Sequence, residues 1–425
     1  MLKASLYAFL ISLGVWVGSQ SAVAVDPNYL TAATDNLTAS APLQEPSSSS
    51  ASSIQPATAE AGETPKFYTI TAELRETYDD NVYTSSIDKV GGFETSITPS
   101  VLFSFPMENS QFDARLTVGV INYEDEPGDP TDLTANLLVR FTHQFSDRFA
   151  IDVRDQTGYF TEPSLFSDAG TLYQDGDYIS QNFSTDFTAQ WTPLVSSVTS
   201  LSNSEVFYDN SAIATGEDYI QNNFSQSIGF AILPKYTLVF AGLYSGISYN
   251  YVGRGYNSYT GMTGIDWATL PTLSVSARIG ASYSQVDEGS DIASPYASLS
   301  VIWQLGQRSN LNFGYSYSIT PTDVTTASAQ IASRIYSNFT YDINRSFSTH
   351  LDLALTDGDY PTATVLANTT GSFTEWDTAL DVGLTYHISG HFDADIGYTF
   401  SQVSSQLSFR DYTRNEYYFG IRGNY

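Results

Sequence analysis

Three of the four histidines, His350, His387 and His391, stand beside serines (Ser348 and Ser389) near corresponding ends of three successive sequence segments. Hydrolysis would need a base poised against a nucleophile and a third group orienting the base. Three imidazoles could instead share a weak metal site. Serine is so abundant in this chain that its proximity carries little information, and the spacing reads as polar rim histidines. No enzymatic activity, no resident metal and no other cofactor is expected. His143 falls on an apolar face, as an interfacial side chain would. The chain has no cysteine, which excludes disulfides and thiolate metal sites. No glycine-rich phosphate loop opens a helix, so nucleotide binding is unsupported.

Carboxylates dominate the charge. Asp plus Glu number 46 against 17 Lys plus Arg, a net charge of -29, and nothing basic is available to neutralise nucleic-acid phosphates. Acidic clusters recur in candidate loops: Glu124, Asp125, Glu126, Asp129 and Asp132 in 123–132, then Asp287, Glu288 and Asp291, then Asp357 and Asp359 in 357–372. Such clusters could hold Ca²⁺ or Mg²⁺, bridge to lipopolysaccharide phosphates, or gather cations at a mouth. None has EF-hand spacing, and the plain reading is a solvated acidic loop face.

These groups are positioned by segments of period two. From Phe67 to Tyr425 apolar and polar residues alternate, as in 133–145, where Leu133, Ala135, Leu137, Val139, Phe141 and Phe145 share a face. About eighteen such segments (16–18) recur, mostly of 12–15 residues. Globular strands usually run about 5–6 residues, whereas a tilted membrane strand needs about 9–11. Short connections alternate with long ones, the pattern of an outer-membrane barrel with periplasmic turns and longer extracellular loops. The expected fold is an all-β, transmembrane, antiparallel up-and-down barrel over 67–425. Trp191, Trp267 and Trp303 precede short turns and, with the terminal Tyr425, make an aromatic girdle.

Residues 1–24 read as a secretory signal peptide, with Lys3, an apolar run from Leu6 to Val17 and the small-x-small end Ala22-Val23-Ala24. Residues 25–66, rich in Ser, Thr, Ala and Pro, read as a disordered periplasmic tether.

If the apolar row faces lipid, the other row faces the lumen. That parity places Arg75, Arg115, Arg140, Arg154, Arg278, Arg334 and Arg422 inside, with Glu73, Asp113, Asp152, Asp186, Asp266, Asp352, Asp381, Asp393 and Asp395. The set reads as a charged, water-filled bore favouring cations or neutral solutes, or as groups that pair across neighbouring strands.

The last residues, NEYYFGIRGNY, alternate Tyr417, Phe419, Ile421 and Gly423 and end on Tyr425. They resemble the C-terminal signature by which barrel-insertion machinery recognises outer-membrane proteins, although Tyr replaces the usual Phe. ELRETYDDNVYTSS followed by FETSITPSVLFSF, with Asp79, Asp80, Asn81 and Tyr83, resembles the opening hairpin of the putative β-barrel porin type 2 family. That resemblance implies an outer-membrane barrel, in some members associated with exopolysaccharide systems. The expected function is a porin-like channel for passive diffusion of small solutes. The alternative is a surface barrel that binds a partner or serves exopolysaccharide export, its lumen occluded. Expected partners are outer-membrane lipid, lipopolysaccharide and the insertion machinery, and porins in general suggest a trimer.

Overall fold

A computed structural model describes residues 67–124, 131–161, 176–250, 254–270, 272–287, 289–322, 324, 327–365 and 369–425. The proposed signal peptide and tether lie outside them, as do Asp125, Glu126, Asp129 and Glu288. Alternation is realised as strands throughout. The first six are β1 (Tyr68–Asp79), β2 (Gly92–Pro106), β3 (Ser110–Tyr123), β4 (Thr131–Ser146), β5 (Phe149–Phe160) and β6 (Tyr178–Thr192). Next come β7 (Val195–Tyr208), the short helix α1 (Ser211–Glu217), β8 (Tyr219–Leu233), β9 (Tyr236–Tyr249), β10 (Tyr256–Leu270), β11 (Leu273–Val286) and β12 (Ile292–Gln304). The chain ends with β13 (Ser309–Thr320), β14 (Gln330–Asp342), β15 (Phe347–Val365), β16 (Thr369–His387), β17 (Phe392–Ser405) and β18 (Tyr412–Asn424).

Each strand pairs antiparallel with its sequence neighbours, and β1 pairs with β18, so the 18-stranded sheet closes on itself. Closure removes the sheet edge, which lipid could not solvate. The outward row is apolar and exposed, as at Leu74, Ile279 and Ile396. The inward row carries the polar side chains. No helix among the described residues is long and apolar enough to cross a membrane; strands do the crossing.

Turn chemistry sets the short connections. Asn344 Oδ1 accepts from the N–H groups of Ser346 (2.8 Å) and Phe347 (3.1 Å), which reverses the chain between β14 and β15. Gly306, at φ 80°, supplies the left-handed residue between β12 and β13.

One loop expectation changes. Residues 357–372 are largely sheet: β15 and β16 are 19 residues each and carry their ladder to Val365 and Thr369 past one bulge. Stacking of Tyr360 on Phe373, with centroids 4.2 Å apart, continues the inward row where Asp and Gly had suggested a loop. The 208–218 loop contains α1, whose first turn is capped by Asn210 Oδ1 accepting from the Ala212 N–H (3.0 Å).

The Asp79–Asn81 motif of the first loop fastens the seam where first and last strands meet. Asn81, fully buried, donates from Nδ2 to Ser85 O (3.0 Å) and Thr413 O (2.9 Å), while its Oδ1 accepts from the Ser85 N–H (2.8 Å). Asp80 accepts from the backbone and side-chain N–H groups of Asn415 (2.7 and 2.6 Å). Asp79 pairs with Arg414 at 2.5 Å. Asn81→Ala orphans buried partners, so a loss of about 1–3 kcal/mol is expected. Urea unfolding of the barrel in liposomes, followed by tryptophan fluorescence, measures it.

Candidate functional site: the lumen wall

Ladder parity places all sixteen predicted lumen residues on the inward row, opposite exposed apolar residues such as Leu116, Ile335 and Val382. Register then decides which of them meet. Glu73 lies directly across from Arg422 and pairs with it at 2.9 Å, and Arg75 reaches the same carboxylate at 2.8 Å. Arg75 also reaches past β18 to Asp395 of β17 at 3.4 Å, passing Gly420, where a side chain would intrude on that carboxylate. Arg140 and Arg154 face each other across β4 and β5, a like-charge pair that would destabilise the sheet. Asp152 relieves it, 2.6 Å from Arg140 and 3.2 Å from Arg154. Arg278 pairs with Asp266 at 2.6 Å. Asp113 has no arginine partner here; it accepts from Ser104 Oγ (2.6 Å) and Gln111 Nε2 (2.8 Å). Arg334 lies over the Tyr336 ring at 5.5 Å, and no ion pair among the described residues involves Arg115.

The cations are thus answered along the wall by adjacent strands. The wall is also unequal around its circumference: β7, β8 and β9 contribute no charged inward side chain and present Ser200, Ser204, Gln221, Asn223, Ser225 and Ser245 instead. One arc is ionic and another is hydroxyl and amide. Parity assigns a residue to a face strand by strand, whereas this segregation follows from closure.

At the extracellular end the β13–β14 connection folds inside the mouth. Val324 and Ala327 pack with the inward-facing Tyr360 and Phe373, and Ala329 with Ile247, Tyr256 and Ile292. Arg254, buried, secures this segment: Nη2 donates to Thr322 O (2.6 Å), Nη1 donates to Gly216 O in the last turn of α1, Glu217 lies at 3.4 Å, and the guanidinium covers the Tyr249 ring at 4.1 Å. Asp218, which begins the run into β8, accepts from the Tyr208 N–H (2.8 Å) and Asn250 Nδ2 (2.9 Å). Burial raises its carboxyl above the usual range, and the Tyr208 hydrogen bond pulls it back down. Glu375, fully buried, is gripped by Arg410 at 2.5 Å and accepts from the Tyr360 hydroxyl at 3.0 Å. Parity could have found Glu375 and Arg414. Arg254 and Arg410 sit in loops, where no periodicity reports direction.

The histidines separate. His143 sits between Phe141 and Phe145 on the outward row, bonded to Ser110 Oγ at 2.7 Å. His387 lies between Ser348 Oγ (3.3 Å from Nε2) and Asp393 Oδ1 (2.8 Å from Nδ1) at the periplasmic rim. That connectivity is the order of a nucleophile–base–acid relay. Ser348, however, lies inside the ladder between Asp342 and Thr385, so its N–H is committed to the sheet and offers no oxyanion donor. His391 lies in the turn before β17, while His350 faces Asp381. The three histidines do not share a site. At the same rim Trp191 and Trp267 face outward, Trp191 meeting Phe149 edge-to-face and Trp267 stacking on Tyr236; Trp303 and Tyr425 are exposed there too.

Residues 254–425 match the family model described as Putative beta-barrel porin 2. The match spans β10–β18 and includes the C-terminal signature, whereas the opening-hairpin likeness falls outside it. The chain is a closed 18-stranded β-barrel whose C-terminal part resembles that porin family. Among solved structures it is similar to a BenF-like porin from Pseudomonas fluorescens Pf-5, at 12% identity and TM-score 0.47 over 84% of this chain and 99% of that one. It is similar as well to Acinetobacter baumannii OccAB4, at 10% identity and TM-score 0.44, over 85% and 99% of the two chains. The siderophore receptor PirA from Pseudomonas aeruginosa follows at 9% identity and TM-score 0.43, over 85% and 81%. Scores at this level carry no inference about solute. No curated protein matches.

Proposed function

We propose that the barrel is a passive-diffusion channel for small solutes, preferring cations or neutral molecules. The observation that carries this reading is the inward row itself. It is hydrophilic along most strands, β9 with Val239, Leu243 and Ile247 being the apolar exception, and its arginines are mostly held against carboxylates of the same or neighbouring strands, which leaves the net charge of the wall acidic. Fixed carboxylates raise local cation concentration in a low-dielectric channel. The Ser348–His387–Asp393 alignment is read as structural, and the protein as a non-enzyme. The alternative, a surface barrel with an occluded lumen, is favoured by one observation: the β13–β14 segment packs inside the mouth.

Planar-bilayer recording separates the two. Stepwise conductance is expected, with a reversal potential under a KCl gradient that reports K⁺ over Cl⁻. Arg254→Ala, which frees the Thr322 carbonyl, is expected to raise single-channel conductance. Reproducible silence from both proteins would favour the occluded barrel.

A further inference from the structure

We propose that the lumen wall binds one divalent transition-metal ion between β15 and β16, through His350, Asp352 and Asp381, with the Tyr418 hydroxyl beside them. One ligand atom from each of the three residues lies within 4.8 Å of the others. Donors bonded at about 2.0–2.2 Å to a common ion stand about 3–4 Å apart. His350 Nε2 is 3.4 Å from Asp381 Oδ1, and the Tyr418 oxygen is 3.4 Å from both. Those separations are long for charge-assisted hydrogen bonds, which close to about 2.7–2.9 Å, and suit neighbours on one coordination sphere.

Three further features point to a cation. Asp352 and Asp381 are direct cross-strand partners, and facing like charges destabilise a sheet. Other facing or crowded charges on this wall are relieved by an opposite side chain, as Asp152 relieves Arg140 and Arg154. Among the described residues no arginine or lysine makes an ion pair with Asp352 or Asp381: His350 is the basic group that reaches Asp381, and Arg75, over the Tyr418 ring at 4.5 Å, pairs with Glu73 and Asp395 instead. Finally, the wall is cleared for these side chains. Gly383 lies opposite His350, where a Cβ would collide with the imidazole, and Gly397 lies opposite Tyr418, where a Cβ would strike the phenol ring. Asn338 Nδ2 donates to Asp352 Oδ1 at 2.9 Å, the outer support that orients a ligating carboxylate. One imidazole with carboxylates suits ions such as Zn²⁺, Co²⁺ or Mn²⁺.

Zinc titrated calorimetrically into the full-length folded barrel in detergent is expected to show one saturable site per chain. His350→Gln and Asp381→Asn are each expected to weaken it by about tenfold or more, and Gly383→Ala to weaken it without removing a ligand. Co²⁺ is expected to give visible absorption bands that His350→Gln abolishes. No saturable binding, or a site of unchanged affinity in both ligand variants, overturns the proposal. Folding of each variant is checked by the heat-dependent gel shift of barrels, and Asp352→Asn replaces any variant that fails. Binding is read without ion flux, so a silent channel does not bear on the result.

A second observation stands apart from the lumen. The outward row of β5–β8 is interrupted by Asp155, Gln181, Thr199, Asn203, Asn222 and Gln226, contrary to the expected apolar row. Their parity is fixed by exposed outward neighbours such as Phe183, Leu201, Ile220 and Phe224. They bond in pairs: Gln181 to Asp155 (3.2 Å), Thr199 to Gln226 (2.7 Å) and Asn203 to Asn222 (3.2 Å). Lipid offers no partner for the donors and acceptors that remain. Beside this belt, Gly242 and Gly261 face each other across β9 and β10 on the outward row, and nothing stands near the Cβ position of Gly261. We infer that this face packs against a second copy of the chain. The belt offers carboxylate acceptors and amide donors together, so it complements itself, as a contact between identical subunits requires, and the glycines leave room for close approach.

The cysteine-free chain makes the test clean. Asn203→Cys in otherwise native protein is expected to form a disulfide-linked dimer in membranes, while Leu351→Cys on the far wall is not. Mass measurement of the untreated protein in mild detergent should give a multiple of one chain. A monomer whose Asn203→Cys form does not cross-link, or a cross-link to a different protein, overturns it.

Discussion

Arg410→Ala is expected to destabilise the barrel by about 3–5 kcal/mol, because it strands the fully buried carboxylate of Glu375 without its cation. Arg410 Nε meets Oε1 at 2.5 Å and Nη2 meets Oε2 at 3.2 Å, a two-point grip between the β17–β18 loop and β16. Desolvation cost about cancels the attraction in such a pair, so its net worth is small; the penalty arises when one partner is left alone. Replacing both, as in Glu375→Met with Arg410→Met, is therefore expected to cost much less than Arg410→Ala. The comparison distinguishes a stranded charge from a lost contact. Reversible urea unfolding in lipid vesicles gives both values. Near-equal losses in the single and double variants would show that packing, not charge, holds this loop.

Ile279→Arg should cost about 2–4 kcal/mol, since Ile279 stands outward near the middle of β11 with 67% of its surface exposed. The same arginine at Thr117, inward on β3 beside Asn136, should be tolerated within about 1 kcal/mol. The contrast tests which medium touches each row. Equal costs at the two positions would mean that the outward row does not meet hydrocarbon.

Parity made much of this legible in advance. Arg75 and Glu73, Arg140 and Asp152, Arg278 and Asp266 could each be assigned to the lumen from the residues flanking them, because a strand's side chains alternate with a period fixed by the backbone. The belt on β5–β8 was not legible for the same reason in reverse. In 218–232 the apolar signal of Ile220, Phe224 and Ile228 dominates, and Asn222 and Gln226 read as interruptions of a row. Their significance appears only when Thr199 and Asn203 of the neighbouring strand are seen to meet them.

Period, strand length and the alternation of short and long connections are local properties, so the amino-acid sequence alone determined the barrel and the side on which each strand residue lies. Which residues touch is a matter of register and closure, and those belong to the sheet as a whole. His350 and Asp352 are two residues apart on one strand, but Asp381 joins them from the next and Tyr418 from two strands further on. Arg254 meets Thr322 across 68 positions of chain, and Asp79 meets Arg414 across 335. Tertiary structure decided these meetings, because a pairing offset of one residue in any strand would turn its inward row to the lipid and dissolve them all.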